Sequence, residues 1–138
     1  MYPLAKEGDI LTLCQFNNHS PPPVKGDWVV FDNGSVEIPL IKRVIASAVD
    51  RLSFKKQGTR WQLLVNDKPQ SNSAGKPYTL SPAQQKMLTL YGAVLPANTL
   101  LVMSENSQSA HDSRRFGLVD IRDVIALLTP TQNKTPNP

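Results

Sequence analysis

Twelve prolines and seven glycines divide the 138 residues into short pieces, and this punctuation limits the fold more than any other feature. Proline removes a backbone donor and glycine favours turns, so the apolar runs between them suit strands better than long helices. Seven runs, Ile10–Leu13, Trp28–Phe31, Leu40–Ile45, Leu52–Phe54, Trp61–Val65, Leu100–Met103 and Ile125–Leu128, are rich in Val, Ile, Leu and aromatics and are predicted strands. Asn66-Asp67 is the expected tight turn after Val65. One segment reads as helix. Ser81 offers an N-cap, Pro82 fits the first helical position, Gln84 completes a capping box and Gly92 supplies a stop, which puts Ala83, Met87, Leu90 and Tyr91 on one face. The expected class is mostly β, an antiparallel sheet domain with one short helix.

A chain of this length is long enough for one domain with a real core and too short for two, so a single site is expected. No apolar run approaches the roughly 20 residues that span a bilayer. The sequence opens at Met1-Tyr2-Pro3 without the basic stretch and apolar region of an export signal, so a signal or anchor is expected to be absent or removed. Net charge is +4, with the Lys and Arg residues scattered along the chain. That pattern favours a solvated surface over a nucleic-acid stripe, and no nucleic-acid partner is expected. Cys14, the only cysteine, excludes an internal disulfide and a cysteine zinc site; its neighbours Leu13 and Phe16 suggest a packed thiol. His19 and His111 stand in polar, turn-like settings without acidic or thiol clusters at ligand spacing, so neither a metal nor a cofactor is expected. Asn17–Pro23 and Thr131–Pro138 are polar and proline-rich, and are expected to be mobile.

Two segments carry candidate chemistry. In Ile41-Lys42-Arg43-Val44-Ile45 a lysine sits within an apolar run. A lysine desolvated there has a lowered pKa, and its neutral amine can take a proton from a serine without any histidine. Strand alternation leaves the opposite outcome open, with Lys42 pointing to solvent. In the segment from Met103 to Gly117, small and polar residues build a loop, and Asp112 has Arg43 or Arg114 as ion-pair partners.

Taken in order, Met1-Tyr2-Pro3-Leu4, Gly8-Asp9-Ile10, Gly26-Asp27-Trp28-Val29-Val30-Phe31, Lys42-Arg43-Val44-Ile45 and Asp112-Ser113-Arg114-Arg115-Phe116-Gly117 resemble the boxes of the type I signal peptidases, serine–lysine peptidases of family S26. The resemblance runs from Met1 to about Leu128, making 1–128 a signal-peptidase-like catalytic domain and 129–138 a flexible tail. It implies that Lys42 is the general base, supported by Arg43, Asp112 and Arg114 as an ion-pair cluster, with Ser113 near the lysine. It implies substrate contacts at Met1, Tyr2 and Pro3. The partners it implies are a precursor protein or pilin with small residues at −1 and −3, and the cytoplasmic membrane, reached through an anchor before Met1 with the catalytic domain on the outer, periplasmic side.

The departures from that pattern are informative. The family nucleophile is the serine directly before the Met of Ser-Met-x-Pro, a position that here precedes Met1. A cut just after that serine is the preferred reading; the alternative is an inactive relative serving as a binding or assembly module of a secretion or conjugation apparatus. Ser104 and Glu105 replace the usual Gly-Asp. Ala48-Val49-Asp50 replaces a Pro-Gly-Asp turn, and Ala110 stands where many members have a serine on the lysine, with Ser107 or Ser109 as substitutes. This drift and the compact size resemble the TraF-type conjugative-transfer branch.

Overall fold

The computed structural model describes residues 11–17, 19–32, 39–105 and 111–130. Expectations placed on Met1, Tyr2, Pro3, Gly8-Asp9, Ser107, Ser109, Ala110 and the tail from Thr131 lie outside the described residues.

Two antiparallel sheets share one body. The larger has six strands in the order β1 (Leu11–Gln15), β10 (Val124–Pro130), β2 (Trp28–Phe31), β3 (Leu40–Ser47), β8 (Thr99–Met103) and β9 (Val119–Asp120). The smaller consists of β4 (Leu52–Gln57), β5 (Arg60–Val65) and β6 (Lys68–Pro69), with β7 (Thr79–Leu80) also paired to β5. Each of the seven apolar runs falls on a strand, the first of them described from Leu11 onward. The short strands β6, β7 and β9 were not foreseen, because a two-residue strand has no periodicity to detect.

Alternation along the central strands makes two cores. On β8, Leu101 and Met103 face the layer between the sheets, together with Ile45, Leu52, Leu63 and Tyr78. Leu100 and Val102 face the opposite side with Val29, Phe31 and Val44. Burial on both faces explains why this run is wholly apolar. The β5–β6 turn uses Asn66 and Asp67 at φ 52° and 67°, left-handed positions that Asn and Asp tolerate better than most residues.

The helix α1 (Pro82–Thr89) forms with the expected capping box: Gln84 N–H donates to Ser81 Oγ, and the Gln84 side chain accepts from Ser81 N–H. Its expected apolar face is corrected. The buried residue is Leu88, with Met87 packed partly against the core, because the helix ends at Thr89 and leaves Leu90 exposed as its C-cap. Cys14 is also corrected, from packed to exposed, since β1 is the outermost strand and its outer edge has no neighbour in the sheet. Around Asn17, expected to be mobile, His19 and Ser20 close a turn through hydrogen bonds to the Asn17 side chain and backbone. Beyond the single expected helix, the described residues hold two further helical turns, α2 (Ser113–Phe116) after the late loop and a 3-10 turn at Ile121–Asp123.

Candidate active site

Lys42 lies near the start of β3, opposite Val29 of β2. Alternation puts Leu40, Lys42 and Val44 on one face and Ile41, Arg43 and Ile45 on the other. The face of Lys42 is therefore the one packed by Val44 and Val29, and the side chain is half-buried. Burial holds its pKa below the ordinary 10.5; the Asp112 carboxylate opposes this and the Arg114 guanidinium reinforces it. Lys42 makes no hydrogen bond or ion pair among the described residues. An amine so placed is a candidate base.

The segment that carries Asp112 is built by the edge of β8. The ladder between β3 and β8 reaches Arg43 opposite Met103, and β9 covers only Thr99 and Leu100 on the other side. Beyond β9 the alternate N–H groups of β8 need acceptors. Side chains supply them: Val102 N–H donates to Ser113 Oγ at 2.9 Å, and Ser104 N–H donates to Asp112 Oδ2 at 3.0 Å. The Asp-Ser pair thus extends the sheet edge beyond the end of β9.

Asp112 also caps α2 and binds Arg114. Arg114 N–H and Nε donate to Oδ1 at 3.0 and 2.9 Å, and Nη2 donates to Oδ2 at 2.7 Å. Both side chains are almost wholly buried, and the fork-to-carboxylate geometry fixes the guanidinium. Its guanidinium carbon lies over the Tyr78 ring, 5.4 Å from the centroid.

Arg43 departs from the expected cluster. The carboxylate it meets is that of Glu105, with Nε 3.2 Å from Oε2 but off the line of a hydrogen bond. Its Nη2 donates to Ser71 O at 3.0 Å. Glu105 in turn accepts from Ser73 N–H at 2.8 Å and from Ser73 Oγ, and its carbonyl accepts from Asn72 Nδ2. The physical reason is alternation: Arg43 points to the layer between the sheets, towards the loop that joins β6 to β7. Two separate pairs result, Arg43 with Glu105 and Arg114 with Asp112, and Tyr78 stands between them. Its O–H donates to Ser104 O at 2.8 Å. Burial raises the Tyr78 pKa, and the Arg43 contact opposes that rise.

Sequence reasoning missed Tyr78, Ser73 and Asn72. A signal existed for Glu105, the first acidic residue after β8, which stands at the Asp position of the family pattern. No periodicity marks Tyr78, because the loop around it is irregular. His111 stands edge-on to Phe116, with centroids 5.9 Å apart, and Phe116 meets Phe31 in the same manner at 6.0 Å. These rings pack the late loop onto the core.

The signal peptidase, peptidase S26, family model matches residues 1–130. The chain is 31% identical over 116 residues to the inactive signal peptidase IA of Staphylococcus aureus, covering 83% of this chain and 59% of that protein. It is 29% identical over 137 residues to signal peptidase I of Bacillus caldolyticus, covering 91% and 70%. The chain thus spans about three-fifths of the length of the Staphylococcus relative. Among solved structures, a signal peptidase I from Enterococcus faecalis superposes with a TM-score of 0.54 at 17% identity, over 75% of this chain and 94% of the other. That likeness speaks for the fold.

Proposed function

The chain belongs to the signal peptidase family, peptidase S26, and on that footing we propose that it is the catalytic domain of a membrane-associated serine endopeptidase. In this reading it removes signal or leader peptides, or matures pilin precursors, with Lys42 as general base. The observation that carries the proposal is the half-buried Lys42, its pKa lowered by burial and its ammonium without a bonded carboxylate among the described residues. A lysine kept for surface charge lacks the first property, and one kept for an ion pair lacks the second.

The nucleophile is a serine preceding Met1. Its hydroxyl loses a proton to neutral Lys42 as the oxygen attacks the scissile carbonyl, and Lys42 returns that proton to the leaving amine. Water then repeats the sequence on the acyl-enzyme. Backbone N–H groups near the serine receive the oxyanion. The substrate lies extended beside Met1, Tyr2 and Pro3, so residues −1 and −3 point the same way and small side chains are selected. Arg43, Asp112, Ser113 and Arg114 position the strand and the late loop and do not touch substrate. Among the described residues no helix is long and apolar enough to cross a membrane; attachment is assigned to a segment before Met1.

A second reading is favoured by the Staphylococcus aureus relative, whose name calls it inactive: a catalytically inactive module of a secretion or conjugation apparatus. The two separate in one experiment. The protein extended upstream through the serine and anchor is assayed on a membrane-tethered precursor with Ala at −1 and −3. Cleavage is expected, rising with pH as Lys42 loses its proton. Lys42→Ala and Lys42→Arg should each lower turnover by about 10²–10⁴-fold, since guanidinium does not deprotonate. Near-normal turnover of Lys42→Ala would remove the dyad, and an inert extended protein would leave the module reading.

A further inference from the structure

The β3–β4 turn places a valine where the backbone is left-handed. Val49 has φ 67°, a conformation costly for a β-branched residue and free for glycine. It is also 80% exposed, so no burial offsets the strain. Observed strain of this kind points to function.

Val49 is not isolated. Its N–H donates to Leu95 O, Leu95 N–H donates to Asp50 O, and Leu52 N–H donates to Ala93 O, so the segment after α1 runs antiparallel beside the turn. That segment exposes Leu90 by 81%, Val94 by 43% and Tyr91 by 38%. Val94 thus stands beside the turn, with Leu90 and Tyr91 preceding it on the same segment, so four exposed apolar residues lie along two neighbouring stretches of chain. Their border is basic: Arg51, bridged to Val94, is exposed, and Lys86 is exposed one helical turn before Leu90. The Asp50 carboxylate is turned away, accepting from Ser47 N–H and Asn66 Nδ2. Beyond this border lies the smaller sheet. Residues 51–80 hold six Lys and Arg, all exposed, against Asp67 alone. Their net charge of +5 exceeds the +4 of the whole chain, so the rest of the molecule is slightly acidic.

We propose that this surface docks an acidic protein segment, an amphipathic helix or strand with aliphatic side chains along its centre and carboxylates along its flanks. Charge complementarity selects this occupant. A second copy of this chain would bring Arg51 and Lys86 against their own kind. A lipid surface is excluded by position, a step that rests on the reading of Lys42 as a base working at the membrane. Lys42 lies near the start of β3 and Val49 in the turn past its end at Ser47, so a membrane at one end leaves the other clear.

Peptide binding tests this without any proteolytic assay, which keeps its failure apart from a failure of the dyad. Two synthetic helical peptides are titrated into the chain, each with leucines on one face, one flanked by glutamates and the other by lysines. The glutamate peptide should bind at least tenfold tighter, and its binding should weaken as salt rises. Val49→Gly and Leu90→Ser should each weaken it at least tenfold, while Val49→Gly melts no lower than the parent because it relieves the strained turn. The inference is overturned if the peptides bind equally or not at all, or if the two substitutions leave binding unchanged. It is equally overturned if they abolish binding to phosphatidylglycerol vesicles or self-association instead.

Discussion

Replacing Asp112 by alanine probes the junction on which the late loop depends. The carboxylate accepts five hydrogen bonds, three from Arg114 and two from Ser104, in a site without solvent. Asp112→Ala leaves the Arg114 guanidinium buried without its counter-charge, a change that costs about 3–5 kcal/mol. The lost cap of α2 and the stranded Ser104 N–H add about 1 kcal/mol each. For a chain of this size each kcal/mol moves the melting temperature by roughly 3–5 °C, so the midpoint should fall by roughly 15–35 °C in calorimetry. A double variant, Asp112→Leu with Arg114→Met, removes both charges and should recover a large part of the loss, because the penalty comes from the buried cation that loses this carboxylate more than from the missing pair. A fall within what a surface pair contributes, about 1 kcal/mol, would refute the burial argument. So would a double variant as unstable as the single one, since that would locate the cost in packing.

Two further predictions concern single side chains. Because burial lowers the Lys42 pKa below 10.5, the unfolded chain holds a proton that the folded chain has lost between the two pKa values. Stability therefore rises with pH through that window, and the penalty of the buried ammonium is complete below the folded pKa. Lys42→Met should accordingly stabilise the fold most at neutral pH, with a gain that shrinks towards zero above pH 10.5; a gain independent of pH in denaturation curves would show the ammonium to be fully hydrated. Tyr78→Phe removes the donor to the Ser104 carbonyl, buried beside Arg114, and should cost about 1–2 kcal/mol by urea denaturation; no measurable change would mean that the carbonyl finds another partner.

Which parts of this protein its sequence determined follows from the range of the forces involved. Strand positions and the capped helix are written in local patterns: an apolar run between turns, or Ser81-Pro82 with Gln84 three residues after the cap, acts over a few residues whatever surrounds it. The same locality made Lys42 visible as a lysine in an apolar strand, and the Asp112-Ser113-Arg114 segment visible as a resemblance. What the sequence left open was which carboxylate each arginine meets. Asp112 and Glu105 were both available to Arg43, and the choice fell to Glu105 because alternation aims Arg43 between the sheets while β8 turns Asp112 into its own edge. Leu90 shows the same limit from the apolar side: its spacing suits a helical face, yet the helix stops one residue earlier and leaves it exposed. Local propensity is set by neighbours in sequence, whereas ion-pair partners and surface patches are set by residues tens of positions apart, and only packing decides which of those meet.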